Sequence, residues 1–492
     1  MPPVRLILIL GLTAFACGRP AAAVRADVLQ REAEAQLQQY RTDLEELAAW
    51  CTEQGLATEA RHTLDVLGPT DPYRLFIPEL PRAAGPAGPP EDASREVTQW
   101  HRRLQQIRAR HGTAFYDLAR RAVRVRPSLA YELALAAIRA NPDHEAVRRI
   151  FGYQKYLGEW RTAYEVGHLR SGRLWDERFG WLPKGHLHRY EQGMRWHDGR
   201  WIDAEEDARR RADIRNGWDV ETEHYLIRTN HSLEAGVQLG EKLERLYAIW
   251  QQLFIRFYAS QADVVTLFSG RAQRRGTATP RHHVVYFRDR DDYNRSLRAA
   301  MPNIDVSIGV YMPGMRRAYF FAGDDYDDRT LYHEATHQLF QESRRAVPLP
   351  GNRGNFWIVE GIALFMESLR REGDYWSLGG LDDPRLHAAR VRLLRDDFYI
   401  PLADFTRLGM EDIQTDPRIA TLYSQAAGLT HFLIFYEGGI YRDALVQYLS
   451  LVYSGRDTPQ TLADLLDAPY PEIDRQYRQF LAETFEHEKA GR

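Results

Sequence analysis

Cysteine is nearly absent from this sequence, which has only Cys17 and Cys51 among its 492 residues. A fold that depends on several internal disulfides is therefore excluded, and stability must come from burial of apolar side chains. A large net charge is also absent, because 65 basic residues nearly balance 68 acidic ones and leave a net charge of −3. The charge indicates neither a nucleic-acid partner nor binding to a membrane surface.

Long apolar runs are missing too, apart from one near the N-terminus. Residues 1–23 contain a basic residue, Arg5, followed by an apolar run from Leu6 to Ala16 and then mostly small residues. This order is typical of a secretory signal peptide, and the run is too short to span a bilayer well. Ala21–Ala23 provides a cleavage site, while Cys17 offers the alternative of lipoprotein processing. We expect an exported protein, periplasmic or extracellular, whose mature chain has no transmembrane span.

The composition is that of a globular protein, with 44% hydrophobic and 27% charged residues, and the length suggests about three domains. Residues 24–93 read as a helical segment followed by a Pro/Gly-rich linker, and residues 94–175 as a helical domain. The spacing Ala-x4-Pro occurs twice there, at Ala122 and Pro127 and at Ala137 and Pro142. This resembles helical repeats that act as interaction scaffolds, although a plain bundle fits equally. A protein partner would bind through this region.

Residues 176–222 are predicted to connect this region to the last domain, through a hairpin that turns at Asp198-Gly199. Strands are then predicted at 223–229, 282–288 and 309–325. A helix carrying the segment LYHEATHQLF follows, capped by Asp327 or Asp328, and only helical patterns follow it. The sequence therefore predicts an α+β domain over 223–492, preceded by an all-α region.

Within LYHEATHQLF, His333 and His337 lie four residues apart on a predicted helix. Side chains at this spacing share one face, which lets two imidazoles bind one metal ion. Glu334 between them can accept a proton from a water molecule beside the ion. The pattern His-Glu-x-x-His arises by chance in roughly a few per cent of chains of this length, so its context decides.

A catalytic zinc ion usually has three protein ligands. Glu360 lies in the apolar segment FWIVEGIALFMESL, where a carboxylate is costly to bury unless it is paired or bound to a cation. It follows His337 by 23 positions (360 − 337), enough for one helix to end and a second to return antiparallel past the histidines. An exposed Glu on a half-buried helix is the alternative.

HEATHQLF followed by FWIVEGIALFMES resembles the gluzincin metallopeptidases, which include thermolysin and aminopeptidase N. The chain is more closely similar to a family of exported bacterial proteins of the peptidase-MA-like type, over roughly residues 195–485. The resemblance implies a zincin-like fold with a small mixed sheet, active-site helices and a mostly helical C-terminal lobe. It implies one Zn²⁺ per chain, peptide or protein substrates, His333, His337 and Glu360 as ligands, and Glu334 as the catalytic base.

The resemblance leaves two supporting roles open. Related gluzincins use a Tyr or His from a later helix to stabilise the oxyanion, so Tyr423 is the candidate and His431 its competitor. Thermolysin has an aspartate one turn after its ligand glutamate, but Leu364 occupies that position here. Glu367 is the candidate partner of a histidine ligand instead. Without these roles, Tyr423 would be a core residue and Glu367 a surface residue.

Other features of the domain receive weaker assignments. The strand RRAYFF before the HEATH helix is a candidate edge for pairing with an extended substrate. Packing or surface roles are expected for His186, His188, His282 and His283. Two other functions remain open: a zincin-like protein whose site has lost activity, and a scaffold in which the helical region does the binding.

Overall fold

The computed structural model describes residues 21–83, 88–89, 91–269, 280–323 and 327–490. Residues 1–20, with Cys17 and most of the predicted signal peptide, lie outside the described residues. The fold is α+β, as the sequence predicted. No described helix is both long and apolar enough to cross a membrane.

The N-terminal region is built from five helices around their own apolar core. They are α1 (Ala21–Glu53), α2 (Ala57–Asp65), α3 (Arg95–Ala122), α4 (Pro127–Ala140) and α5 (Glu145–Ile150). Ser94 caps α3, and Pro127 begins α4 at a position where its missing N–H is not needed. The periodic residues Leu44 and Leu47 are fully buried. Two later helices, introduced below, contribute Ile255, Val264 and Phe268 to this core.

The prediction of an all-α N-terminal region is wrong at its linker. Strand β1 (Arg74–Pro78) lies within the Pro/Gly-rich stretch and pairs antiparallel with a strand about 300 residues later. The side chain of Arg74, at the start of β1, also forms ion pairs with Glu372 and Asp382. The linker therefore joins the N-terminal region to the C-terminal one by main-chain hydrogen bonds.

The helical prediction for residues 94–175 is wrong after Ile150. Three consecutive hairpin–helix units follow, up to residue 211. Their elements are β2 (Tyr153–Tyr156), β3 (Glu159–Thr162), α6 (Ala163–Arg170), β4 (Arg173–Asp176), β5 (Gly180–Pro183), α7 (Leu187–Glu191), β6 (Met194–His197), β7 (Arg200–Asp203) and α8 (Ala204–Arg211). The predicted turn at Asp198-Gly199 is confirmed, with φ of 46° and 81°. Both values suit the left-handed conformation that a tight hairpin turn requires.

A five-stranded mixed sheet follows the hairpins. Its strands are β8 (Trp218–Glu221), β9 (Tyr225–Thr229), β10 (His282–Phe287), β11 (Val310–Met312) and β12 (Arg317–Phe321). Their spatial order is β11-β12-β10-β9-β8, with β9, β10 and β12 parallel and the two outer strands antiparallel to their neighbours. The predicted strands are confirmed. RRAYFF, which forms β12, is an inner strand, so its prediction as the edge is wrong: β11 is the edge.

The two faces of this sheet enter different cores. Val284 and Tyr286 of β10 belong to the main core, whereas Val285 and Phe287 belong to a smaller one. The alternation follows from the two-residue period of a strand. The helices on this part of the chain are α9 (Leu233–Leu253), α10 (Ile255–Tyr258), α11 (Gln261–Phe268) and α12 (Arg290–Leu297).

The main core continues through the C-terminal helices. These are α13 (Asp328–Glu342), α14 (Phe356–Met366), α15 (Pro384–Leu394), α16 (Leu402–Phe405), α17 (Met410–Gln414), α18 (Ile419–Phe435), α19 (Arg442–Tyr453), α20 (Thr461–Leu466) and α21 (Tyr470–Ala490). The expectation that only helices follow the HEATH helix is wrong, because β13 (Arg370–Glu372) and β14 (Tyr375–Gly379) come after α14. Together with β1 they form a three-stranded sheet.

Candidate metal centre

The HEATH segment forms α13, as predicted. Asp327 precedes the helix and its side chain accepts a hydrogen bond from the N–H of Arg329, which fixes where the helix begins. Leu331, Ala335 and Leu339 bury one face against the core. His333 and His337 share another face, with ring centroids 4.8 Å apart. The amphipathic pattern therefore anchors the helix and leaves both imidazoles on the same side.

Helix α14 brings Glu360 to these imidazoles. All eleven residues of this helix are buried, and Glu360 is its only charged one. Gly361 allows close packing, because a Cβ there would lie 2.4 Å from the Thr430 hydroxyl of α18. The helix is thus held inside the molecule by packing on all sides, and the position of Glu360 is fixed with it.

Three ligand atoms from the two helices converge. The Nε2 atoms of His333 and His337 are 3.1 Å apart, and Glu360 oxygens lie 3.5 Å and 3.8 Å from them, respectively. Ligand atoms held ~2 Å from one tetrahedral ion are about 3.3 Å from each other. Two imidazole nitrogens and one carboxylate at this spacing could hold a metal ion such as zinc and leave a fourth position open. Among the described residues, this is the one group with such spacing.

The protonation of the group reflects its burial and its ion pairs. Burial disfavours a charged imidazole, but hydrogen bonds to Glu360 and Glu367 outweigh it and raise the pKa of His333 to about 10. Burial lowers the pKa of His337 to about 4. Burial opposes ionisation of Glu360, yet the two histidines hold the pKa of its carboxyl below the usual value. The metal-free cluster is therefore a charged His333 beside an ionised Glu360.

Glu334 faces the edge strand β11. One of its carboxylate oxygens accepts a 2.8 Å hydrogen bond from the main-chain N–H of Tyr311. Burial raises the pKa of the Glu334 carboxyl to about 7, although the charge of His333 and the Tyr311 N–H oppose the rise. A carboxyl with a pKa near neutrality can both accept and return a proton. Sequence reasoning did not anticipate the role of Tyr311, because it depends on strand order.

Tyr423 and His431 lie on the same helix, α18, in different surroundings. The hydroxyl of Tyr423 lies close enough to Glu360 to interact with its carboxylate, and burial together with that carboxylate raises the pKa of the phenol far above its usual range. His431 is fully buried, with Nδ1 3.0 Å from the Ala427 carbonyl and Nε2 2.9 Å from Asp383. The structure therefore brings Tyr423, and not His431, to the three ligand residues.

Glu367 contacts a ligand histidine, as the sequence suggested. Its Oε1 lies 2.9 Å from His333 Nδ1, which turns the Nε2 of that ring towards the other ligand atoms. Arg385 donates two hydrogen bonds to Glu367, at 2.8 Å and 3.0 Å, and Arg329 donates a third at 3.2 Å. The side chain of Glu367 is only 5% exposed. The two arginines were not singled out from the sequence, because nothing local marks them.

The remaining histidines have other surroundings. His282 is buried against Glu342, with Nδ1 2.8 Å from its carboxylate, and His283 is exposed on the opposite face of β10. His186 contacts the rings of Trp196 and Trp201. His188 is exposed.

Comparisons with known proteins do not identify the function of this site. No protein-family model matches the sequence, and no curated protein matches it. The case for a function therefore rests on the geometry of His333, His337, Glu360, Glu334 and Tyr423.

Proposed function

We propose that the protein is an exported, zinc-dependent peptidase of the zincin type, with one Zn²⁺ per chain. The observation that carries the proposal is the convergence of His333, His337 and Glu360 from helices α13 and α14, with the Glu334 carboxylate beside them. Three ligands of this type with an open fourth position are typical of catalytic zinc sites, whereas structural zinc sites are closed by four protein ligands.

The chain's own residues provide a route for the proton. Zinc, when bound, supplies a Lewis acid that polarises a carbonyl group and lowers the pKa of a water molecule. Glu334 accepts the proton of the attacking water and returns it to the leaving amine, since its raised pKa suits both steps. The Tyr311 N–H holds one of its oxygens and restricts the carboxylate to one orientation.

Tyr423 is suited to stabilise the developing oxyanion. Its hydroxyl lies beside Glu360, at the edge of the ligand group, and its raised pKa keeps it protonated as a hydrogen-bond donor at neutral pH. A donor aimed at an oxyanion typically contributes about 10²–10³-fold in rate. Substrate binding would give the hydroxyl a new acceptor in place of the Glu360 carboxylate.

The edge strand favours an extended peptide as the substrate. β11 is the outer strand on the side of α13, and its residue Tyr311 contacts Glu334. A peptide that pairs with such an edge gains main-chain hydrogen bonds independent of its sequence. Its scissile bond would then lie beside the base.

The test begins with the metal content of the purified wild type, His333→Ala and Glu360→Gln. We expect one zinc per wild-type chain and none in either variant. The zinc-loaded wild type should then cleave members of a random peptide library, and Glu334→Gln, which keeps the ligands, should not.

Zinc binding without cleavage of any peptide would contradict the proposed activity and favour a zincin-type protein that has lost it. Failure of the wild type to bind zinc after reconstitution would exclude the metal site altogether and leave the N-terminal region as the functional part.

A further inference from the structure

Two arginines, Arg329 and Arg385, lie on one side of the candidate metal centre. Their combined charge exceeds the single negative charge of Glu367, the carboxylate that both of them bond. Arg385 alone bonds both oxygens of Glu367, one of which also meets His333. Arg329 adds a single bond of 3.2 Å to an oxygen that Arg385 already holds. One bidentate arginine is enough to neutralise and orient a carboxylate. The second arginine therefore adds positive charge to this side of the site.

Both guanidinium groups reach solvent. The side chain of Arg385 is 40% exposed and that of Arg329 is 37% exposed, while Glu367 between them is buried. Both guanidinium groups bond Glu367, whose other contact is His333 Nδ1. The arginines thus lie at the edge of the site on the side of His333.

The exposed guanidinium groups favour an anionic group of the substrate there. Glu360 and Glu367 each contribute −1, Arg329 and Arg385 each +1, and a zinc ion +2, so these five groups sum to +2. The carboxylates of Glu334 and the buried Asp383 bring the sum to zero when both are ionised, so the zinc-loaded site carries no net negative charge to repel a further carboxylate. A substrate carboxylate would bind the guanidinium N–H donors that Glu367 does not use.

Resting on the proposed peptidase function, we propose that Arg329 and Arg385 form a subsite for a carboxylate of the substrate. The preferred substrates are then peptides with Asp, Glu or a terminal carboxylate within about two residues of the scissile bond, the reach of an extended chain at ~3.3 Å per residue. Arg385 also orients Glu367, so Arg329 is the cleaner residue for a test.

The experiment profiles cleavage sites by mass spectrometry, using the full zinc-loaded chain and a random peptide library. Asp and Glu should be enriched about twofold to fivefold over Asn and Gln at one position near the cut, the effect of a partly exposed ion pair. Arg329→Glu should reverse the preference towards Lys and Arg. Because Arg392 is exposed on α15, two turns after Arg385, Arg392→Glu is the matched control and should keep the wild-type preference.

A reversal of specificity cannot arise from loosening Glu367 alone, which would lower cleavage of all peptides together. If Arg329→Glu loses its zinc, the wild type still tests the proposal, since its acidic preference should weaken as salt rises. Cleavage with no acidic preference would overturn the subsite and leave the peptidase function standing. Absence of cleavage above the Glu334→Gln background would overturn both.

Discussion

Two buried histidine–carboxylate groups lie among helices α13, α14, α15 and α18, and only one of them has the atoms to bind a metal. His333 gives one ring nitrogen to Glu367 and turns the other towards His337 and Glu360. His431 turns both ring nitrogens towards protein atoms, with Nδ1 3.0 Å from the Ala427 carbonyl and Nε2 2.9 Å from the Asp383 carboxylate. A histidine can thus bind a metal ion only if one ring nitrogen stays free while the other bonds to the group that orients the ring.

The largest effect is expected from removing a nitrogen of the first group. His333→Ala should abolish zinc binding, because the loss of one of three ligands removes about a third of the ~12 kcal/mol typical of zinc binding, or roughly a thousandfold in affinity. The measurement is metal stoichiometry after dialysis, with affinity from competition against a chelator. A variant that retained one zinc would show that the convergence of the three residues does not form the site.

Glu367→Gln should have the next largest effect. The amide keeps the shape of the side chain but loses the charge that fixes His333, and changes of this kind typically lower metal affinity about 10–100-fold. Chelator competition on this variant and the wild type measures the difference. The matched control is Glu372→Gln, on β13, whose carboxylate contacts Arg74 and Arg370 at a distance from the histidines. Equal zinc affinity in all three proteins would contradict a role for Glu367 in orienting the ligand.

The sequence predicts the residues of the first of these two groups better than the contacts around them. The two histidines, Glu334 and Glu360 were predictable because helical periodicity puts them on one face and because a carboxylate in an apolar helix needs a partner. Glu367 was a reasonable candidate for the same reason. Arg385 and Asp383 were not predictable, since their contacts join residues from separate helices and depend on how α14, α15 and α18 pack.

The fold shows the same division between local and non-local information. Strands β9 and β10 have a clear apolar pattern, and the sequence placed them correctly. The pairing of β1 with β14 spans about 300 residues, and no local pattern announces it. The hairpin–helix units did carry a signal that was missed: a glycine with positive φ stands eight or nine residues before a tryptophan in each unit, at Gly152 and Trp160, Gly172 and Trp181, and Gly193 and Trp201.

The third effect is the pH dependence of zinc binding, which follows from the different pKa values of His333 and His337. With a pKa of about 10, His333 is charged in the metal-free protein at neutral pH, whereas His337, at about 4, is already neutral. Zinc binding should therefore release one proton, and zinc affinity should rise about tenfold per pH unit from about pH 7 to 9. Calorimetry in buffers of different ionisation enthalpy counts the protons.

The same shift sets the stability of the metal-free protein. Because the pKa of His333 is raised above its usual value of 6.5, its contribution to stability is full below about pH 6.5 and is lost as pH rises through about 10. Stabilisation by zinc should accordingly grow over that range. A zinc affinity that does not change between about pH 7 and 9 would show that His333 is neutral before the metal arrives.

The smallest effect on zinc is expected at the second group. His431→Phe should leave zinc stoichiometry and affinity unchanged, because neither nitrogen of His431 faces the ligand atoms. Its cost should appear in folding: the variant leaves the buried Asp383 carboxylate without its His431 partner, and a buried polar group left without a partner typically costs about 1–3 kcal/mol. Urea unfolding of the metal-free proteins measures this difference, and Asp383→Asn in the same chain should recover part of it by removing the unpaired charge. If His431→Phe lost zinc at unchanged stability, His431 would contribute to the metal site. A free ring nitrogen would then not distinguish a metal-binding histidine from a core histidine.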